Sequence, residues 1–174
     1  MTRKYRTIVA DPPWQYRDGL VFKSYRPKPA GASVNYKTMS LAEIKKLSFF
    51  IEEISEKNCV LFLWATIPLL PEAIEVMFSW GFKYKTAIVW RKIMSLGLGS
   101  WFRGQVEICL VGIKGKVKAF HCQKANFIES KVRKHSQKPE EFFELIKEIA
   151  PRPAIELFAR EKRENYDSWG DEIK

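Results

Sequence analysis

The chain has little that would support a disulfide framework or a metal centre. Its three cysteines, Cys59, Cys109 and Cys122, show neither paired nor ligand-like spacing, which argues against both. Cys59 and Cys109 fall in apolar runs and read as buried thiols, as suits a reducing cytoplasm. Only two histidines are present. His121-Cys122 and His135 have no second pair at ligand distance, so no metal is expected. No apolar stretch approaches the ~18 residues that span a bilayer, and the basic start Met1–Arg6 leads into a run too short for a secretion signal. The reading is a cytoplasmic protein without a membrane partner. A Gly-Lys-Thr phosphate loop and a Gly-x-Ser-x-Gly elbow are both missing. So are repeats, low-complexity tracts and linkers, so residues 1–174 read as one domain.

Acidic residues are scarce in three segments. Residues 15–39, 83–105 and 114–138 hold 18 of the 30 Lys and Arg but only 2 of the 20 Asp and Glu. A solvated face would explain basic residues but not the segregation of acids onto the remaining segments. With a net charge of +10, these segments point to an anionic polymer as partner, nucleic acid above all. Lys92, Arg103, Lys116 and Lys118 lie in them. So do Tyr16, Tyr25, Tyr36, Trp101 and Phe102, which suit stacking on an unpaired or flipped base.

Five short apolar runs read as strands: Thr7–Ala10, Cys59–Ala65, Thr86–Trp90, Glu107–Gly112 and Ala154–Phe158. Most are continuous rather than alternating, as expected when helices cover both sheet faces. Ser40-Leu41-Ala42-Glu43 is a capping box that opens a helix reaching to about Ser55. Pro71 starts a second helix, ended by Gly81, with Ile74, Met77 and Phe78 on one face. Pro139 lies in the first turn of a third, with Phe142, Phe143, Ile146 and Ile149 inward. Trp64, Trp80 and Trp90 read as core. Strands alternating with helices predict a three-layer α/β fold with a mostly parallel sheet. Long loops are expected over 15–38, 91–106 and 114–137.

The tetrapeptide Asp11-Pro12-Pro13-Trp14 directly follows the first strand. With ordinary residue frequencies it arises by chance in roughly one in several thousand chains of this size. Pro-Pro ends a ladder, and the carboxyl end of a strand is where open α/β sheets keep ligands. A carboxylate, a proline carbonyl and a flat aromatic together suit a planar amino group. The amine donates to Asp11 and to the Pro12 carbonyl while Trp14 stacks on the base, leaving the nitrogen lone pair to meet an electrophilic methyl group.

These residues resemble the MT-A70 family of adenine-N6 methyltransferases. The likeness runs through Asp11-Pro12-Pro13-Trp14, Tyr36–Ser40, Leu61–Thr66, Trp80-Gly81-Phe82, Val89–Lys92, Glu107–Gly115, His135–Glu141, Ile155–Arg160 and Trp169–Glu172. It covers nearly the whole chain, in the family's order. The resemblance implies a Rossmann-like methyltransferase fold, permuted so that the catalytic motif comes first, with S-adenosylmethionine as cofactor. Asp11, Pro12, Pro13 and Trp14 would be catalytic. Asp11, Pro12, Lys138, Phe158, Arg160, Trp169, Gly170, Asp171 and Glu172 would hold the cofactor. Trp14, Tyr36 and Glu107 would frame the target, with Lys92, Arg103, Lys116 and Lys118 on the nucleic acid.

The chain departs from the pattern in places. Asp171 stands where the closing motif has Asn. Val106 precedes the matched Glu where the eukaryotic enzyme has Lys, and Lys162 and Arg163 replace its His-Asn pair. Only ten residues precede Asp11, so the upstream strand of the eukaryotic enzyme has no counterpart. The short length favours DNA as substrate. The same reaction on RNA is the alternative, and a silent nucleic-acid-binding subunit is the reading from another class. Monomer and homodimer are both open.

Overall fold

The computed structural model describes residues 3–15, 38–95, 97, 101–132 and 137–170. They form one seven-stranded sheet in the order β5-β3-β4-β2-β1-β6-β7. The strands are β1 (Tyr5–Ala10), β2 (Ser55–Thr66), β3 (Lys83–Ile93), β4 (Val106–Lys114), β5 (Phe127–Lys131), β6 (Ala154–Leu157) and β7 (Asp167–Trp169). β4 runs antiparallel to β2 and β3, while every other pairing is parallel. The helices are α1 (Leu41–Lys46), α2 (Ser48–Ile54), α3 (Leu70–Ser79) and α4 (Glu140–Lys147). The expected α/β architecture with a mostly parallel sheet is the one observed.

Strand alternation splits the core into two layers. Ile8, Ala10, Leu61, Leu63 and Leu110 pack with Ile44, Ile51, Val76, Met77 and Trp80 of the α1–α3 side. Val9, Phe62, Trp64, Cys109 and Val111 pack with Phe142, Phe143 and Ile146 of α4. Both faces are covered, which is why the strands read as unbroken apolar runs. Cys59 and Cys109 are buried thiols, and Trp64, Trp80 and Trp90 are buried as expected.

Helix boundaries differ in detail. The capping box forms, with the Glu43 N–H donating to the Ser40 hydroxyl and the Ser40 N–H donating to Glu43. The single helix expected to Ser55 breaks at Leu47, whose N–H bonds the Ile44 carbonyl in a tighter turn. The Gly81 stop on α3 is a Schellman motif. Phe82 N–H reaches the Met77 carbonyl at 3.1 Å and Gly81 N–H the Phe78 carbonyl at 3.0 Å, with Gly81 at φ 83°, a value glycine adopts without strain. Phe78 is exposed, and Ala73 and Val76 take the inward places beside Met77. Pro139 caps α4 rather than lying in its first turn. β5 falls where a loop was expected, and β7 is a short strand beyond the five expected.

Candidate active site

β1 lies at the switch point of the sheet. Its successor β2 flanks it on one side and the late strand β6 on the other. Open α/β sheets keep their ligands outside the carboxyl ends of strands at this point, and there β1 delivers Asp11. β4 runs the other way, so its first residues reach the same edge: Glu107 pairs in register with Thr66 of β2 and Trp90 of β3. Lys138, just ahead of α4, completes the group. Its Nζ lies 2.9 Å from Asp11 Oδ1 and 2.9 Å from Glu107 Oε2. The Lys92 ammonium binds the other Glu107 oxygen. Four charges of alternating sign therefore form a chain, Asp11, Lys138, Glu107, Lys92. Each lysine also sits over a buried indole, Lys138 at 5.2 Å from the Trp64 ring and Lys92 at 5.1 Å from Trp90, which adds cation–π attraction.

Burial sets the electrostatics. It pushes the Asp11 carboxyl above the usual carboxylate range; Lys138 opposes that shift and Glu107 reinforces it. Burial acts in the same sense on Glu107, but Lys138 and Lys92 together outweigh it and hold this carboxyl at about 2. Lys138 loses hydration too, yet the two carboxylates keep it firmly protonated.

The Pro-Pro corner is closely bonded. The Trp14 N–H returns to the Pro12 carbonyl at 2.8 Å, an i→i+2 turn. The Met39 N–H donates to the Pro13 carbonyl at 2.8 Å, and the Gln15 N–H donates to the Met39 carbonyl at 3.1 Å. The Pro12 oxygen keeps its second lone pair. Trp14 corrects the stacking expectation. Its ring is only 7% exposed and packs in the α1–α3 layer, and its indole N–H donates to the Trp64 carbonyl at 3.0 Å. The side chain fixes the corner from beneath and offers no free face to a base.

A narrow cleft opens beside Asp11, with Lys138, Trp64, Glu156, Arg160 and Arg163 in its wall. Glu156 pairs in register with Val9, which puts its side chain on the face that Asp11 shares. Three buried polar atoms there lack a hydrogen bond, Trp64 Nε1, Glu156 Oε2 and Arg163 Nε. Buried polar groups are seldom left so, and the cleft presents carboxylates and cations together, so its lining matches the charges of a zwitterion. Arg163 braces the wall. It binds Glu140 of α4 at 2.8 Å, faces Glu156 at 3.4 Å and lies 3.7 Å from the Phe143 ring centre.

Phe158 and Trp169 stand at the adjoining edge, ring centres 5.5 Å apart. Phe158 holds φ 58°, a strained value of the kind found at functional sites. A side chain at Gly170 would come within 2.8 Å of the Ala159 carbonyl oxygen, so this position needs glycine for close approach. Tyr36, Asp171 and Glu172 lie outside the described residues. Arg103 stands on the β3–β4 connection, which leaves the sheet at the edge that carries Glu107. Lys116 does not join the site. It follows the carboxyl end of β4, which lies at the opposite edge of the sheet beside Cys59, and its N–H is held by Asn58. Lys118 leaves from that same edge two residues later. Sequence reasoning missed Glu156, Trp64 and Arg163. The available signal was a carboxylate inside the apolar run Ala154–Phe158.

Glu156 gives a pH test. Burial pushes its carboxyl from 4.5 up to about 7, against the pull of Arg163. The folded chain therefore holds this proton more tightly than the unfolded one. That contribution is complete below about 4.5 and is lost as pH rises through about 7. Glu156→Gln should match the parent in thermal melts at low pH and exceed it at pH ~8, by at most about 3 kcal/mol. An equal difference at both pH values would contradict the burial of this carboxylate.

A Rossmann-like sheet with one reversed strand, its acidic Pro-Pro corner at the switch point and its closing strand after it, is the architecture of a permuted methyltransferase. The MT-A70 family model matches residues 5–172, and the chain belongs to that family. It is 33% identical to Type II methyltransferase M.MunI of Mycoplasma sp, over 98% of this chain and 78% of that protein. It is 31% identical to a putative N(6)-adenosine-methyltransferase MT-A70-like protein of Medicago truncatula and 28% to the METTL3 catalytic subunit of Homo sapiens. Each match covers 90% of this chain and about a quarter of the relative (24% and 26%). The family implies a methyl donor and a nucleic-acid substrate. No helix among the described residues is long and apolar enough to cross a membrane.

Proposed function

We propose that residues 1–174 act as one S-adenosylmethionine-dependent methyltransferase domain that methylates the N6 amine of adenine in DNA, in the cytoplasm of a bacterial or phage-infected cell. The observation that carries the reading is the Asp11 carboxylate, held by Lys138 at the switch point beside a cleft of mixed charge.

The cofactor, when bound, supplies an electrophilic sulfonium methyl group. Lys138, Arg160 and Arg163 suit its carboxylate, Glu156 suits its ammonium, and the Phe158–Trp169 edge with Gly170 suits its nucleoside. The protein's own task is the nucleophile. An adenine amine shares its lone pair with the ring. Asp11 and the free lone pair of the Pro12 carbonyl accept its two N–H bonds, which favours a pyramidal nitrogen with its lone pair released. The methyl group that such a cofactor would supply leaves N6 with one proton too many. The surplus N6 proton then leaves to Asp11 or to water. Positioning and fixed charge supply the acceleration. In duplex DNA the base must first leave the stack.

DNA is favoured because the match spans 78% of M.MunI, whereas it covers about a quarter of the N(6)-adenosine methyltransferases. The test is incubation with methyl-labelled cofactor and equal amounts of single-stranded DNA, duplex DNA and RNA, followed by nucleoside analysis. N6-methyldeoxyadenosine is expected. Label confined to RNA would move the substrate to that polymer. Label in none would leave a binding subunit.

A further inference from the structure

We infer that Trp101 and Phe102 form a wedge that enters duplex DNA beside the extruded target base, an assignment that rests on the DNA reading above. Trp101 is 92% exposed and Phe102 89%. Large aromatic side chains so fully in water are unusual and mark contact surfaces. Their presentation is built in. The connection between β3 and β4 returns on itself through Lys92 N–H to the Gln105 carbonyl at 2.7 Å and Gly97 N–H to the Gly104 carbonyl at 2.8 Å. A side chain at Gly97 would lie 2.9 Å from the Gly104 oxygen, so glycine is what lets the two arms approach. Met94, at the root of the same connection, is 87% exposed and holds φ 57°, a backbone region that side-chain-bearing residues avoid.

Place and charge select the occupant. The connection rises from the edge that carries Asp11 and Glu107. Phe102 is five residues from Glu107, at most about 17 Å of extended chain, and Lys92 at the root binds Glu107 directly. Arg103 directly follows the apolar pair, and Arg91 and Lys92 at the root of the connection are cations bonded to Glu129 and Glu107. A second copy of this chain would bring the same cations against them, in a molecule of net charge +10. A phosphate backbone complements them. Apolar and aromatic wedges between base steps are a general means of holding an unstacked duplex open, and removing the target adenine leaves such a gap.

The test is Trp101→Ala/Phe102→Ala, two exposed positions whose loss leaves the core intact, with a thermal melt as control. Initial rates of methyl transfer at limiting substrate are measured on a single-stranded circular phage DNA and on its double-stranded replicative form. The expected result is a loss on the duplex about tenfold greater than on the single strand. Equal loss on the two forms, or loss on neither, overturns the wedge. So does a parent protein that methylates only the single strand, or one that sediments as a dimer where the variant is a monomer. If the parent methylates neither form, the enzymatic reading falls as well, which separates that failure from failure of the wedge alone.

Discussion

Asp11→Asn should lower the methyl-transfer rate by about 10³-fold or more while the chain stays folded. General-base and electrostatic contributions of single groups are of order 10²–10⁴, and here one carboxylate orients the amine and can receive its proton. Asparagine keeps the shape but loses the charge, and its amide can set a donor against the amine. Stability should hold or rise. Burial raises the Asp11 carboxyl above its ordinary value, so the ionised group destabilises the folded chain at neutral pH, and its removal relieves that cost. Lys138 keeps Glu107 as a partner. Rate measurement with labelled cofactor, beside a thermal melt, checks both halves. A variant within tenfold of the parent would remove Asp11 from the chemistry.

Local chemistry made some of this legible in the sequence. A Pro-Pro pair after an apolar run must end a strand, and Ser40 and Glu43 must cap a helix, because each depends on residues a few positions apart. The lysine–carboxylate chain was less accessible. Lys138 meets Asp11 across more than a hundred residues, and only the family pattern placed both near one site. Strand direction was not written in hydrophobicity at all. Because β4 is reversed, the connection carrying Arg103 rises on the side of Asp11 while the one carrying Lys116 leaves from the far edge, although both are basic loops. β5 escaped notice because alternate residues face solvent, and β7 is three residues long. Trp14 shows the limit most clearly. A flat ring after Pro-Pro serves equally as a platform for a base or as a peg in the core, and its direction decides which.

The second large effect is expected at Lys138. Lys138→Met keeps the apolar stem and removes the cation shared by Asp11 and Glu107. Glu107 retains Lys92, but Asp11 loses the strongest influence opposing its burial, while the Glu107 charge still pushes its carboxyl upward. A larger share of Asp11 should then be protonated and unable to accept the amine. The expected loss is about 10²-fold at pH ~7. The sign of the pH dependence follows from an acid with a raised pKa: the carboxylate re-forms as pH rises, so activity should partly recover on the alkaline side. Breaking a buried pair also costs on the order of 3 kcal/mol of stability, visible as a lower denaturant midpoint. Lys138→Arg should restore much of the neutral-pH rate. A rate loss with a flat pH profile would mean that Lys138 only supports the fold, and an unchanged rate would show that Asp11 needs no counter-charge.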